Sequence, residues 1–182
     1  GWGVVCHITS VPAEGKPGTL GAPARRFIDH LHEMGASYWQ VLPLNPTDEH
    51  HSPYAGPSAF AGTIDLLEEN SAELQAQFRA FIANEGERQA DYRAFAERAS
   101  TWLDPYCAFA AVKDAHNGAS RHTWEAKLSR YDVAILDDPA YRERARYHAF
   151  TQYRFDCEWR ELKRYANERG IRIIGDIPMY VS

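Results

Sequence analysis

Apolar residues recur along this chain in two rhythms, and the switches between them mark out its elements. The run VVCHI at residues 4–8 is short and continuous, as in a buried strand, and gives way to a loop holding Gly15, Gly18 and Gly21. A helical rhythm follows, with Pro23 at a first-turn position, Phe27, Leu31 and Met34 on one face, and Gly35 as a stop. Residues 38–44, YWQVLPL, return to the strand rhythm and are closed by Pro43, which a central strand tolerates only near its end. Strand, helix and strand in so short a span predict a parallel βαβ unit.

From residue 68 to residue 118 the rhythm is helical throughout. Asn70 and Glu73 have capping-box spacing ahead of a stripe of Leu74, Phe78, Phe81 and Ile82 that ends near Gly86. A second helix carries Tyr92, Phe95 and Ala99. A third is predicted to open on Asp104 as cap, with Pro105 in its first turn, and to close at Asn117 and Gly118. Helices with no strand to return to predict an inserted helical subdomain, followed by a loop-like segment around Trp124. Asp138 and Pro139 repeat the cap-and-proline signal and open a helix expected to reach Arg169 with a bend or break on the way. Gly170 stops it, and IRIIGDIP at residues 171–178 reads as a third strand ending in Asp176. There are no internal repeats. The chain thus divides into residues 1–67, the start of an α/β body with two parallel strands, one helix and a long loop; 68–137, the helical insertion; and 138–182, a helix and the third strand.

Composition narrows the class. With 182 residues, 45% hydrophobic, the chain can bury a core of its own. A net charge of −5, with lysines and arginines dispersed, argues against a nucleic-acid surface. No apolar run approaches membrane-spanning length and no signal-peptide pattern opens the chain, so no membrane partner is expected. Cys6, Cys107 and Cys157 are odd in number, scattered and without CxxC spacing, which predicts reduced thiols in a cytoplasmic protein. No initiating methionine is present and Gly1 leads at once into a strand pattern, so the natural start is expected upstream.

The chemistry concentrates after the second strand. Residues 45–62 form a loop rich in proline, glycine and serine that carries Tyr54 and Phe60. Aromatics in such a loop, just beyond a buried strand, suit a flat-faced ligand such as a sugar or a base, or else pin the loop to the body. Asp176 also stands at a strand end, where ligand contacts gather, or else caps a turn or pairs with an arginine. Other signals carry less. Adjacent His50 and His51 lack a third ligand at matching spacing, so no metal is expected and a solvated loop tip is the reading. Cys6 lies among apolar residues and reads as core rather than nucleophile. The Gly15, Gly18 and Gly21 loop lacks the spacing of a phosphate cradle, and neighbouring Glu68 and Glu69 diverge on a helix start.

Five blocks carry a resemblance: GVVCHITS at 3–10, ARRF at 24–27, YWQVLPL at 38–44, SPY at 52–54 with SAFAG at 58–62, and YANERGIRIIGDIPMYV at 165–181. Their sequence and order resemble the amylomaltases, the 4-α-glucanotransferases or disproportionating enzymes of glycoside hydrolase family 77. The resemblance implies an α/β fold, the first strands of a (β/α)8 TIM-type barrel with an inserted helical subdomain, incomplete in this chain. It implies transfer of α-1,4-glucan segments between maltooligosaccharides with retention, without a cofactor. The family's aspartate nucleophile, glutamate acid/base and stabilising aspartate come from later strands, so no catalytic residue is expected here, the chain alone is expected to be inactive, and the remainder of the polypeptide is needed to complete the barrel. Tyr54 matches the family tyrosine that packs on the sugar next to the scissile bond, Ser52 lies in the same loop, and Asp176 matches the aspartate lining that subsite. Thr19 stands where an aspartate is common, residues 63–65 replace a usual Asn-Pro pairing, and the tip of Asp48, Glu49, His50 and His51 is more charged than usual, which bears on acceptor preference. The alternative is a non-catalytic glucan-binding module that uses Tyr54 and Asp176 only to hold sugar.

Overall fold

Three short strands lie side by side and parallel: β1 (Gly3–Val5), β2 (Tyr38–Gln40) and β4 (Arg172–Ile174), with β2 in the centre and Trp39 facing Val4 and Ile173 across it. The computed structural model describes the whole chain except residues 49, 129, 131 and 182, and residue 181 in its backbone alone, so Glu49 of the charged tip lies outside the described residues. By packing, the described chain forms two units, one of residues Gly1–Asn70 with Arg154–Ser182, the other Ser71–Tyr153. The return to the body expected at residue 138 falls inside the second unit.

In the first unit, helix α1 (Ala22–Glu33) lies between β1 and β2 in the chain and places Pro23 at its start, where a missing N–H costs nothing. Its buried face is Ala24, Ile28 and Leu31; Met34, expected on that face, is 57% exposed at the C-cap. Gly35 ends the helix at φ 74°, a left-handed conformation that suits glycine, and the next N–H, of Ala36, returns to the Leu31 carbonyl. The core joins this face to Ile8, Leu20, Trp39, Val41, Leu66 and Leu162. Trp39 is wholly buried, edge-on to Phe27 at 5.0 Å, and its Nε1–H donates to the Cys6 carbonyl at 2.9 Å. Cutting such a ring to Ala typically costs about 3–5 kcal/mol, which makes Trp39 a keystone of the sheet.

All three strands are shorter than the apolar runs suggest. Cys6 still donates to Gln40 and Val41 to Ile174, both at 3.0 Å, but there the ladder ends. His7 turns to cap a 3-10 turn over Ile8–Ser10, Pro43 has no N–H to offer, and the Ile171 N–H is spent on the Ala166 carbonyl at the end of the preceding helix. Two strands were not legible at all: β3 (Ala55–Gly56) and β5 (Tyr180–Val181) pair in parallel.

The second unit holds α2 (Ser71–Ala83), α3 (Ala90–Arg98), α4 (Leu103–Ala115), the single turn α5 (Ala134–Asp137) and the start of α6 (Arg142–Glu168). Aromatic rings knit it: Phe81 lies 5.1 Å from Phe150 and 5.2 Å from Tyr92, which meets Tyr153 at 5.4 Å. Arg146 makes a two-pronged bond to Glu87 at 2.8 and 2.7 Å. Helix α4 begins at Leu103 with Trp102 as cap, ahead of the Asp104 cap read from the sequence; Asp104 and Pro105 fall in the first turn, where an acid and a proline are both tolerated. Asp138 caps the turn before α6, its carboxylate accepting the Ala140 N–H at 2.8 Å. Helix α6 then runs 27 residues without the expected break, and Gly170, at φ 73°, follows its end. No helix among the described residues is long and apolar enough to cross a membrane.

Candidate functional site

The loop after β2 leaves and returns at one point. The Leu44 carbonyl, just past Pro43, accepts the Thr63 N–H at 2.8 Å, so residues 45–62 close on a narrow base. Asp48 folds the tip: its carboxylate accepts the N–H groups of His50 and Ser52 at 3.0 and 3.4 Å, and its N–H donates to Ala55 at 3.1 Å. This is the self-bonding turn that a short acidic side chain favours. At the base, Ser58 Oγ accepts from Phe60 and Ala61 at 3.1 and 3.0 Å. Phe60 itself is 72% exposed.

Tyr54 is held from three directions. Its N–H donates to Ser52 Oγ at 3.3 Å, its carbonyl accepts from Met179 and Tyr180 at 3.1 and 3.0 Å, and its hydroxyl donates to Asp176 Oδ2 at 3.0 Å. The last bond joins the loop after β2 to the exit of β4, 122 residues apart in sequence. Asp176 also accepts the Ile177 N–H on Oδ1 at 2.9 Å. The structure therefore brings Ser52, Tyr54 and Asp176 together. The hydrogen bond to Asp176, then burial and the nearby charge, push the Tyr54 hydroxyl above its ordinary pKa, which keeps it a donor. The pair offers a half-buried ring face and a carboxylate with lone pairs to spare, a combination suited to a polyhydroxylated ligand.

Residues not singled out from the sequence complete the site's support. His7, at the end of β1, sets Nε2 3.3 Å from the Pro43 carbonyl and Nδ1 2.7 Å from Thr9 Oγ1. Gly56 backs onto the chain so closely that a Cβ would stand 2.0 Å from the Pro46 carbonyl oxygen. Elsewhere in the same unit, Arg154 reaches Glu69 at 2.7 Å and Glu158 at 3.2 Å. Burial, the neighbouring Glu69 charge and a hydrogen bond shared with Glu69 outweigh the arginine and push the Glu158 carboxyl up to about 7. Glu68 accepts the Ala22 N–H at 2.8 Å at the start of α1, rather than sitting idle at a helix start of its own. Among the described residues, no group of three or more His, Cys, Asp or Glu is gathered as a metal ion would require.

A parallel sheet flanked by helices, with a tyrosine and an aspartate joined beyond the carboxyl ends of its strands, is an arrangement shared by α/β folds that gather their ligand contacts at those ends. The family model described as 4-alpha-glucanotransferase matches residues 6–80 and 64–182. The chain belongs to that family. It is 38% identical over 213 residues to the 4-alpha-glucanotransferase of Thermus thermophilus, covering 100% of this chain and 43% of that protein. With the Aquifex aeolicus 4-alpha-glucanotransferase the identity is 34% over 210 residues, covering 99% and 43%. Among solved structures, the amylomaltase of Streptococcus agalactiae in complex with acarbose superposes with a TM-score of 0.85 at 31% identity, covering 99% of this chain and 43% of that one. The amylomaltase of Corynebacterium glutamicum, at 14% identity and a TM-score of 0.69, shares the fold over 98% of this chain and 30% of its own. The chain thus spans 43% of the length of the two curated relatives.

Proposed function

We propose that this chain supplies the donor-sugar side of a 4-α-glucanotransferase that moves α-1,4-glucan segments between maltooligosaccharides. In this reading β1, β2 and β4 are the first three strands of a (β/α)8 barrel, and the helices of the second unit are its insertion. Retaining transfer needs one carboxylate to attack the anomeric carbon while a second carboxyl protonates the leaving oxygen. The glycosyl-enzyme ester is then opened by an acceptor hydroxyl, the second group taking back the proton. Those carboxylates belong to strands beyond this chain, whose own part is to bind and orient.

The observation that carries the reading is the Tyr54–Asp176 hydrogen bond at 3.0 Å. A ring whose hydroxyl is tied to Asp176 has its long axis held in place, so its face is presented where the C–H face of a glucose ring can meet it. Asp176 retains lone pairs that accept from a sugar hydroxyl, and Ser52 holds the Tyr54 backbone in place. The S. agalactiae neighbour in complex with acarbose supports a saccharide-type ligand in this fold.

The test is kinetic, on the full-length enzyme with maltotriose. Tyr54→Phe keeps the face and should lower kcat/KM about fivefold, as the loss of one ordinary hydrogen bond does. Tyr54→Ala should lower kcat together with kcat/KM, the latter on the order of a hundredfold, because the contact is strongest as the sugar distorts. A folded Tyr54→Ala enzyme with full turnover, and only a lower Tm, would leave Tyr54 as a loop pin and the reading without support.

A further inference from the structure

The two ring nitrogens of His7 have different duties, and their partners settle which carries the proton. The Pro43 carbonyl only accepts, so Nε2, 3.3 Å away, must donate. Nδ1 then carries the lone pair, and it accepts from Thr9 Oγ1 at 2.7 Å and from the Thr9 N–H at 3.3 Å. The neutral ring satisfies every one of these contacts, and burial favours that neutral form. Through these contacts His7 bridges the exits of two strands.

What His7 grips is the root of the loop that carries Tyr54. Pro43 cannot extend the ladder, so its carbonyl is where β2's chain departs from the sheet. His7 takes that carbonyl and Thr63 takes the next, of Leu44, at 2.8 Å. Beyond them the buried Asn45 donates to the Pro46 carbonyl at 3.0 Å, and Gly56 packs against that same oxygen beside Tyr54. Each step from His7 to Tyr54 is a hydrogen bond, a covalent neighbour or a close backbone approach.

We propose that His7 is a positioning residue for the donor-sugar site: by donating from Nε2 to the Pro43 carbonyl, it holds the root of the loop that brings Tyr54 to Asp176. This rests on the sugar-binding reading of Tyr54. The experiment compares His7→Ala, His7→Gln, His7→Asn, Tyr54→Ala and the double variant His7→Ala/Tyr54→Ala in the full-length enzyme on maltotriose. A glutamine amide reaches the place of Nε2, an asparagine amide only that of Nδ1. His7→Ala and His7→Asn should each lose about tenfold in kcat/KM, and His7→Gln should stay within about threefold of wild type. The double variant should be no worse than Tyr54→Ala by more than about threefold, since residues acting through one another are not additive. Wild-type kinetics in His7→Ala, equal losses in His7→Gln and His7→Asn, or a double variant that multiplies the two single losses would each overturn the proposal. Should His7→Ala fail to fold, the ranking of His7→Gln above His7→Asn decides it alone. Full turnover in Tyr54→Ala would instead strike the sugar-binding reading, whereas an impaired Tyr54→Ala with multiplicative losses strikes only the role of His7.

Discussion

Glu158 keeps its proton well above the pH at which most glutamates release theirs. It faces Glu69 and Glu68 as well as Arg154, and burial with the neighbouring carboxylates outweighs the arginine and disfavours its ionised form. From its ordinary value of 4.5 up to about 7, the folded state holds a proton that the unfolded chain has lost. Stability contributed at this position therefore falls as the pH rises through that window and levels off above it. Glu158→Gln imitates the protonated form. In the full-length protein it should raise Tm by a few degrees at about pH 8, and the gain should shrink towards nothing at about pH 5. A gain equal at both pH values would show that charge is not the cause. No sequence rhythm foretold this cluster, because Glu69 and Glu158 meet only through the fold. Tyr54 and Asp176 could be singled out for the opposite reason: Asp176 closes an apolar run and Tyr54 lies in the loop that follows one, and such strand exits are where a parallel sheet presents its chemistry. Met34 misled, since a helix-face pattern does not reveal where the last turn leaves the core.

Among the elements, helices were read more faithfully than strands. The stripe of α1 and the stops at Gly35 and Gly170 follow from helical period and left-handed glycine, both local properties. Strand length is set instead by partners, and the ladder stops where Pro43, His7 and the end of α6 withdraw their backbone groups. β3 and β5, two residues each, have no alternation to read, yet they fasten the loop of residues 45–62 to the segment after Asp176. Gly56 of β3 lies against the Pro46 carbonyl with no room for a Cβ. Gly56→Ala puts a methyl group into that oxygen, which sits on backbone and cannot swing aside. The variant should show a lowered Tm and, on the proposed function, a raised KM for maltotriose in its folded fraction. Unchanged KM in a folded Gly56→Ala protein would detach β3 from the site.

At the scale of the whole molecule, the three-stranded sheet has Val5 62% and Ile174 44% exposed, and Ile177 and Met179 beyond β4 are more exposed still. Open parallel edges with apolar side chains invite pairing with other chains. Produced as these 182 residues alone, the protein should aggregate or lack sharp near-UV dichroism, while the helices of Ser71–Tyr153 keep their far-UV signal. A soluble monomer with one cooperative thermal transition would contradict this. The loop of residues 45–62 has a different consequence. Its attachments, Thr63 to Leu44, Asp48 to Ala55, and Met179 and Tyr180 to Tyr54, are made by backbone groups, which every residue type but proline can supply. Side-chain exchanges in the loop away from Asp48 and Ser52, whose side chains hold the turn and the Tyr54 N–H, therefore leave those backbone bonds in place. Evolution, or an engineer, can redraw the outer surface of this loop while its backbone anchorage, and with it the Tyr54–Asp176 pair, stays where it is.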